Sequence, residues 1–170
     1  MMILVKGRPD SGKSVLAEKI AMELPGKRLY LATMIPYGEE GAARVKKHRA
    51  MREGKGFHTL EIPSELPKAE EKLQPFFGGV CLLECVANLA GNEMHAKEHA
   101  GTSPEEVAEV VLQEIRWLKM RMEHLVVVTN HFEVEAAMDG ETRDYIRLME
   151  LINRVLETEA DRVEGTDESI

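Results

Sequence analysis

Gly7-Arg8-Pro9-Asp10-Ser11-Gly12-Lys13-Ser14 has the form G-x-x-x-x-G-K-[ST]. It follows the apolar run Met2-Ile3-Leu4-Val5 and leads into good helix formers from Val15 to Leu24. Strand, glycine-bearing turn and helix is the context in which this pattern forms a phosphate-binding loop. Its glycines let backbone N–H groups wrap a phosphate chain, and the helix N-terminus adds positive potential there. Lys13 would reach the β- and γ-phosphates, and Ser14 would hold Mg²⁺.

Working outward, strand-like and helix-like segments alternate. Met2–Val5 reads as a strand, Lys13–Leu24 as a helix ended by Pro25-Gly26, and Arg28–Thr33 as a second buried strand. A charged helix over Glu39–Arg52, an edge strand over His58–Ile62 and a polar helix over Ser64–Gln74 follow. Val80–Glu84 is a third buried strand. Ser103-Pro104-Glu105-Glu106 is a capping box that opens an amphipathic helix to about Glu123. His124–Thr129 is the next strand and Glu141–Arg162 the last helix. Continuous apolar strands between helices predict an α/β fold of the P-loop NTPase class, a mostly parallel sheet with helices on both faces. Residues 1–163 read as a single nucleotide-binding domain. The polar stretch 164–170 reads as a tail that frays.

The 170 residues suit one domain with a real core, and 22 basic against 30 acidic residues give a net charge of −8. That balance argues against a general nucleic-acid binder. Cys81 and Cys85 are too unfavourably placed along one strand for a disulfide, which fits a reducing compartment. No apolar stretch approaches the roughly 20 residues of a membrane span, and no signal peptide is legible. A cytoplasmic protein is the expectation.

Three further features bear on chemistry. Glu84 ends an apolar strand, where a P-loop protein keeps the carboxylate that orients Mg²⁺. Arg44-Val45-Lys46-Lys47-His48-Arg49-Ala50-Met51-Arg52 is either a solvated basic helix face or a cationic triphosphate site with one imidazole in it. An imidazole can attack phosphorus to form a phosphoramidate, while nearby Lys and Arg stabilise a departing pyrophosphate. Asn130-His131 follows a buried strand, where sheet C-termini gather ligand-binding residues. His95 and His99 are spaced to share a helix face, but without a third ligand they make no zinc site. Met120, Met122, Met138 and Met149 read as packing residues.

Several blocks, in order and spacing, resemble the bifunctional adenosylcobinamide kinase/adenosylcobinamide-phosphate guanylyltransferase family of cobalamin biosynthesis. Besides the P-loop these are Leu29-Tyr30-Leu31-Ala32-Thr33, Ala42-Ala43-Arg44-Val45 followed by His48, Leu82-Leu83-Glu84-Cys85, and Val126-Val127-Val128-Thr129-Asn130, with Asn153 in the last helix. The resemblance covers about residues 2 to 163. It implies that Gly7, Arg8, Pro9, Asp10, Ser11, Gly12, Lys13 and Ser14 hold the triphosphate and that Ala32, Thr33 and Met34 lie along the nucleotide. His48 would be the guanylylated nucleophile, followed by Arg49, Ala50, Met51 and Arg52 as nucleotide contacts. Glu61 and Glu84 match acidic positions of nucleotide binding, with Ser14 and Glu84 as the metal residues. The implied substrates are ATP or GTP and a corrinoid, adenosylcobinamide. The implied assembly is a homo-oligomer, commonly a trimer.

Two departures from the family pattern stand out. His131-Phe132-Glu133-Val134-Glu135 replaces a glycine-richer loop. The stretch from Glu164 to Ile170 is too polar to supply the family's last strand, so the sheet is expected to be one strand short. A kinase of another small molecule, with no use for His48, and a non-catalytic nucleotide-binding regulator remain as alternatives.

Overall fold

In a computed structural model of the chain, residues 1–35, 38–132 and 139–166 are described. A parallel sheet of six strands runs in the order β3-β2-β4-β5-β1-β6. The strands are β1 (Met2–Gly7), β2 (Arg28–Ala32), β3 (Phe57–Glu61), β4 (Val80–Glu84), β5 (His124–Asn130) and β6 (Arg162–Gly165). The helices are α1 (Lys13–Glu23), α2 (Gly38–Arg52), α3 (Glu70–Leu73), α4 (Val86–Met94), α5 (Pro104–Arg121) and α6 (Gly140–Glu159).

Strand periodicity divides the core into two layers. Successive side chains point to opposite faces. Met2, Leu4, Leu29, Leu31, Cys81, Leu83, Leu125 and Val127 therefore face one way and pack with residues of α4, α5 and α6. Ile3, Val5, Tyr30, Val80, Leu82, Val126 and Val128 face the other way, beneath Ala17, Ile20 and Ala21 of α1. Both faces of the central strands are buried, which is why they read as unbroken apolar runs. Truncating one fully buried leucine here, such as Leu82→Ala, would cost about 2–5 kcal/mol.

Parallel pairing brings the C-terminal ends of the strands to one edge. Gly7 sits opposite Asn130, and Ala32 sits opposite both Glu84 and Glu61. The loops that follow β1 to β5 at this edge start at positions singled out in the sequence.

Four local features differ from the sequence reading. The sheet is not one strand short: Arg162–Gly165 pairs with β1 in parallel, from Ile3 opposite Arg162 to Lys6 opposite Gly165. Backbone pairing at an open edge forms this strand. Only Glu164 of its four residues is even partly buried, so no hydrophobic pattern announces it. The stretch 64–74 is not one helix, because Pro67 and Pro75 remove amide donors. It breaks into a 3-10 turn over Leu66–Ala69, the single turn α3, and another 3-10 turn over Gln74–Phe76. Helix α4 went unread because Asn88, Gly91 and Asn92 dilute its helical signal. Its buried positions Val86, Ala87, Leu89, Ala90 and Glu93 still follow helical spacing. This helix ends at Met94, so His95 and His99 do not share a helix face. His95 lies 3.3 Å from Glu141, and His99 lies 3.2 Å from Glu93.

Cys81 and Cys85 are both free, as expected. No helix among the described residues is long and apolar enough to cross a membrane. The expectations placed on Glu133, Val134, Glu135, Met138 and residues 167–170 fall outside the described residues.

Candidate functional site

The loop between β1 and α1 has the backbone of an anion cradle. Gly12 occupies the left-handed region at φ 86°, a conformation that glycine adopts at little cost, and it forms the N-cap of α1. Nothing lies within 4 Å of where a Cβ on Gly12 would sit, so its backbone conformation alone calls for glycine. A Cβ on Gly7, by contrast, would collide with Thr166 Oγ1 and Ser11 Oγ. Lys13 is buried, and its Nζ donates to the Arg8 carbonyl at 2.6 Å. The amine is thus folded back over its own loop, where a polyphosphate would lie.

Glu84 stands beside this loop. Ser14 Oγ donates to Glu84 Oε1, and the Tyr30 hydroxyl donates to Oε2 at 2.5 Å. Burial, reinforced by the adjacent Glu84 carboxylate, pushes the Tyr30 phenol far above its ordinary value. Tyr30 therefore remains a proton donor. Ser14 and Glu84 together offer oxygen ligands of the kind that a hard divalent cation takes.

Helix α2 forms the opposite wall, and Arg52 is its only buried residue. Arg44, Val45, Lys47, His48, Met51 and Arg52 all line the cleft. Arg44, Lys47, His48, Met51 and Arg52 recur at i, i+3, i+4, i+7 and i+8, which is one helical stripe, with Val45 at its margin. The stripe turns two exposed cations, Arg44 and Lys47, and the half-buried His48 toward the phosphate loop. The cleft encloses about 480 Å³. Residues 9–15, Tyr30, Ala32, Met34, Glu61, Glu84, Cys85, Asn88, Val128 and Asn130 complete its lining. A space of this size, with cations on one wall and an amide-lined loop on the other, suits a nucleoside triphosphate.

The family model for cobinamide kinase / cobinamide phosphate guanyltransferase matches residues 3–166. The chain belongs to this cobinamide kinase/guanyltransferase family. The family is one of transferases acting in cobalamin biosynthesis. No curated protein sequence matches the chain significantly. Among solved structures it is similar to the flagellar accessory protein FlaH from Methanocaldococcus jannaschii, with a TM-score of 0.51 and 12% identity over 96% of this chain and 70% of that one. At that identity the likeness concerns the fold alone.

Within this member of the cobinamide kinase family, most residues singled out from the sequence meet in the one cleft. Pro9 to Ser14, Ala32, Met34, His48, Met51, Arg52, Glu61 and Glu84 all line it. Gly7, Arg8, Thr33, Arg49 and Ala50 are not part of the lining. Arg49 turns to Glu61 in an exposed ion pair. Thr33 is fully buried, and its hydroxyl accepts from the Cys85 amide at 2.9 Å and donates to the Cys85 carbonyl at 2.8 Å. Its geometry makes it a clasp between the ends of β2 and β4.

Tyr30 and Asn88 also belong to the lining, though no reading of the sequence gives them a ligand role; Arg44 and Lys47 of the cationic stretch and Asn130 at the strand end line it too. Helical spacing from His48 points to Arg44, four residues earlier, and Lys47 lies three residues after Arg44 on the same stripe. Tyr30 is hidden inside an apolar strand, and only the β2–β4 register brings it to Glu84. His131, exposed, donates its backbone N–H to the Gly7 carbonyl at 2.8 Å and is absent from the cleft lining.

Proposed function

We propose that this chain phosphorylates adenosylcobinamide with ATP or GTP and then transfers GMP from GTP to the phosphorylated product through a guanylyl-histidine at His48. The observation that carries this reading is one cleft that holds both the Lys13 loop with Glu84 and the stripe of His48 with Arg44 and Lys47.

In the first reaction the hydroxyl of the acceptor attacks the γ-phosphorus, and the bond to the bridging oxygen of the nucleoside diphosphate breaks. Lys13 and the amides of Gly12 to Ser14 stabilise the charge that spreads over the phosphoryl oxygens. In the second, an imidazole nitrogen of His48 attacks the α-phosphorus of GTP and pyrophosphate departs, its charge met by Arg44 and Lys47. A phosphate oxygen of the acceptor then attacks the same phosphorus. The P–N bond breaks and His48 regains its free imidazole.

Mg²⁺ fits the oxygens present. Ser14 and Glu84 are adjacent hard donors, and no group of three or more His, Cys, Asp or Glu that could hold a metal occurs among the described residues. One carboxylate with substrate phosphates and water is the usual provision for this ion. When bound, it neutralises phosphate charge. By resemblance the working assembly is a homotrimer, which sedimentation of the purified protein tests.

Incubation with GTP labelled at the α-phosphate, without acceptor, tests the central assignment. Label should become protein-bound, labile in acid and more stable in alkali. It should vanish in His48→Ala and persist in His131→Ala. Bound GTP without covalent label would leave a kinase of a small molecule. No triphosphate binding at all would overturn both halves.

A further inference from the structure

Glu84 is held from two sides, and the second side is not part of the phosphate loop. Tyr30 lies mid-strand in β2, opposite Leu82 of β4. Leu82 and Glu84 are two residues apart and so point to the same face as Tyr30. Ala32, directly opposite Glu84, is small, which leaves the phenol room to run along the sheet toward the carboxylate. Its hydroxyl ends 2.5 Å from Glu84 Oε2, while Ser14 takes Oε1. The ring has a second partner. The Arg52 guanidinium stacks over it, 3.4 Å from ring atom centroid to Cζ. Arg52 is only 7% exposed, and its Nε is buried without a hydrogen-bond partner. The cation is therefore seated mainly by the aromatic face, an arrangement that gains strength when desolvated. Arg52 closes α2, and His48 lies one turn before it on the same stripe.

We propose that Tyr30 is a positioning residue for both halves of the cleft: its phenol orients Glu84 beside Ser14, and its ring seats Arg52 and with it the helix that bears His48. This rests on the assignment of Ser14 and Glu84 to a divalent cation and of His48 to guanylyl transfer. With phenylalanine at this position, Glu84 keeps only the Ser14 donor and can swing. The aromatic face that Arg52 needs is kept. A leucine removes both supports.

The test compares wild type, Tyr30→Phe and Tyr30→Leu in two measurements. The first is calorimetric binding of a non-hydrolysable β,γ-imido GTP analogue with and without Mg²⁺. The second is the rate at which acid-labile label accumulates from α-labelled GTP. Tyr30→Phe should lose roughly tenfold or more of the Mg²⁺-dependent gain in affinity, as removal of a partner to a metal-binding carboxylate does, with affinity in the absence of metal retained. Tyr30→Leu should show the same loss and label at least about tenfold more slowly than Tyr30→Phe. Should Tyr30→Leu fail to fold, Arg52→Leu carries the second arm, because it strips the cation from an intact tyrosine. Slower labelling is again the expected result.

Mg²⁺ dependence in Tyr30→Phe equal to wild type would overturn the orienting role. Labelling by the folded second-arm variant as fast as Tyr30→Phe would overturn the seating role. A wild-type protein that binds no analogue, or binds it and takes up no label, would instead remove the functional assignment beneath both.

Discussion

Ser11 Oγ and Thr166 Oγ1 lie 2.6 Å apart, so the phosphate loop is tied to the residue that follows the edge strand β6. The Thr166 amide also donates to the Lys6 carbonyl at 3.1 Å, continuing the β1–β6 pairing to the foot of the loop. Thr166→Val keeps the shape and removes the hydroxyl. A neutral hydrogen bond of this kind contributes about 0.5–1.5 kcal/mol to stability, so the unfolding midpoint should fall by about 1–6 °C, and triphosphate affinity should fall as the loop loosens. Calorimetric titration with a GTP analogue and a thermal scan measure the two quantities. Wild-type affinity in the valine variant would mean that the loop holds its shape without β6.

Lys13→Ala should lower phosphoryl transfer by about 10²–10³-fold or more, the scale on which removing a preorganised donor acts. The Lys13 amine rests against the Arg8 carbonyl at 2.6 Å, within its own loop. The fold should therefore survive. Release of nucleoside diphosphate in the presence of a cobinamide acceptor is the readout. A folded variant that turns over like wild type would remove the loop from the reaction.

Asn153→Leu should destabilise the protein and weaken the cleft together. The Thr129 hydroxyl is fully buried and donates to Asn153 Oδ1 at 2.5 Å, while Asn153 Nδ2 donates to the Asn130 carbonyl at 2.9 Å. Leucine leaves both groups unsatisfied, at about 1–3 kcal/mol each. Urea unfolding measures the loss. Because Asn130 lines the cleft, nucleotide affinity should fall as well. A variant as stable as wild type would show that these groups find other partners.

The parts of this molecule that sequence reading reached are those where chemistry is local. The phosphate loop needs its glycines, lysine and serine at fixed offsets, so it is visible in eight residues. Glu84 is visible because, in a chain with a phosphate loop, an acid ending an apolar strand matches the position that orients Mg²⁺. Tyr30 fails both tests: it is an aromatic residue among apolar ones, and its meaning arises only from the register that sets β2 against β4. Thr33 shows the reverse failure. The family resemblance places it along the nucleotide, yet its hydroxyl is consumed by the Cys85 backbone. The edge strand β6 was lost because pairing with β1 uses backbone groups, to which a hydrophobic pattern is blind.

A buried carboxylate outside the cleft makes stability depend on pH. Glu114 of α5 accepts the Leu66 amide at 2.7 Å through Oε1, while its Oε2 is buried without a hydrogen-bond partner. Burial pushes the Glu114 carboxyl up from 4.5 to about 7, with the Glu93 and Glu65 carboxylates adding to the rise and the Leu66 amide opposing it. The folded chain thus keeps this proton to about pH 7, whereas the unfolded chain releases it near the ordinary 4.5. Between those values folding takes up a proton. The group's contribution is fully present below about pH 4.5, falls as pH rises through the window, and is gone above about pH 7. Glu114→Gln keeps an acceptor for the Leu66 amide and carries no proton to lose. The unfolding free energy of the variant minus that of wild type should therefore rise from about pH 5 to about pH 8, by an amount on the order of 2 kcal/mol, and then level off. Urea titrations across that range, with slopes compared to confirm like unfolding, provide the measurement. A difference that stays constant would mean that Glu114 is already ionised in the folded protein at pH 5, and that α5 holds a buried charge stabilised only by the backbone amides of Leu66 and Glu65.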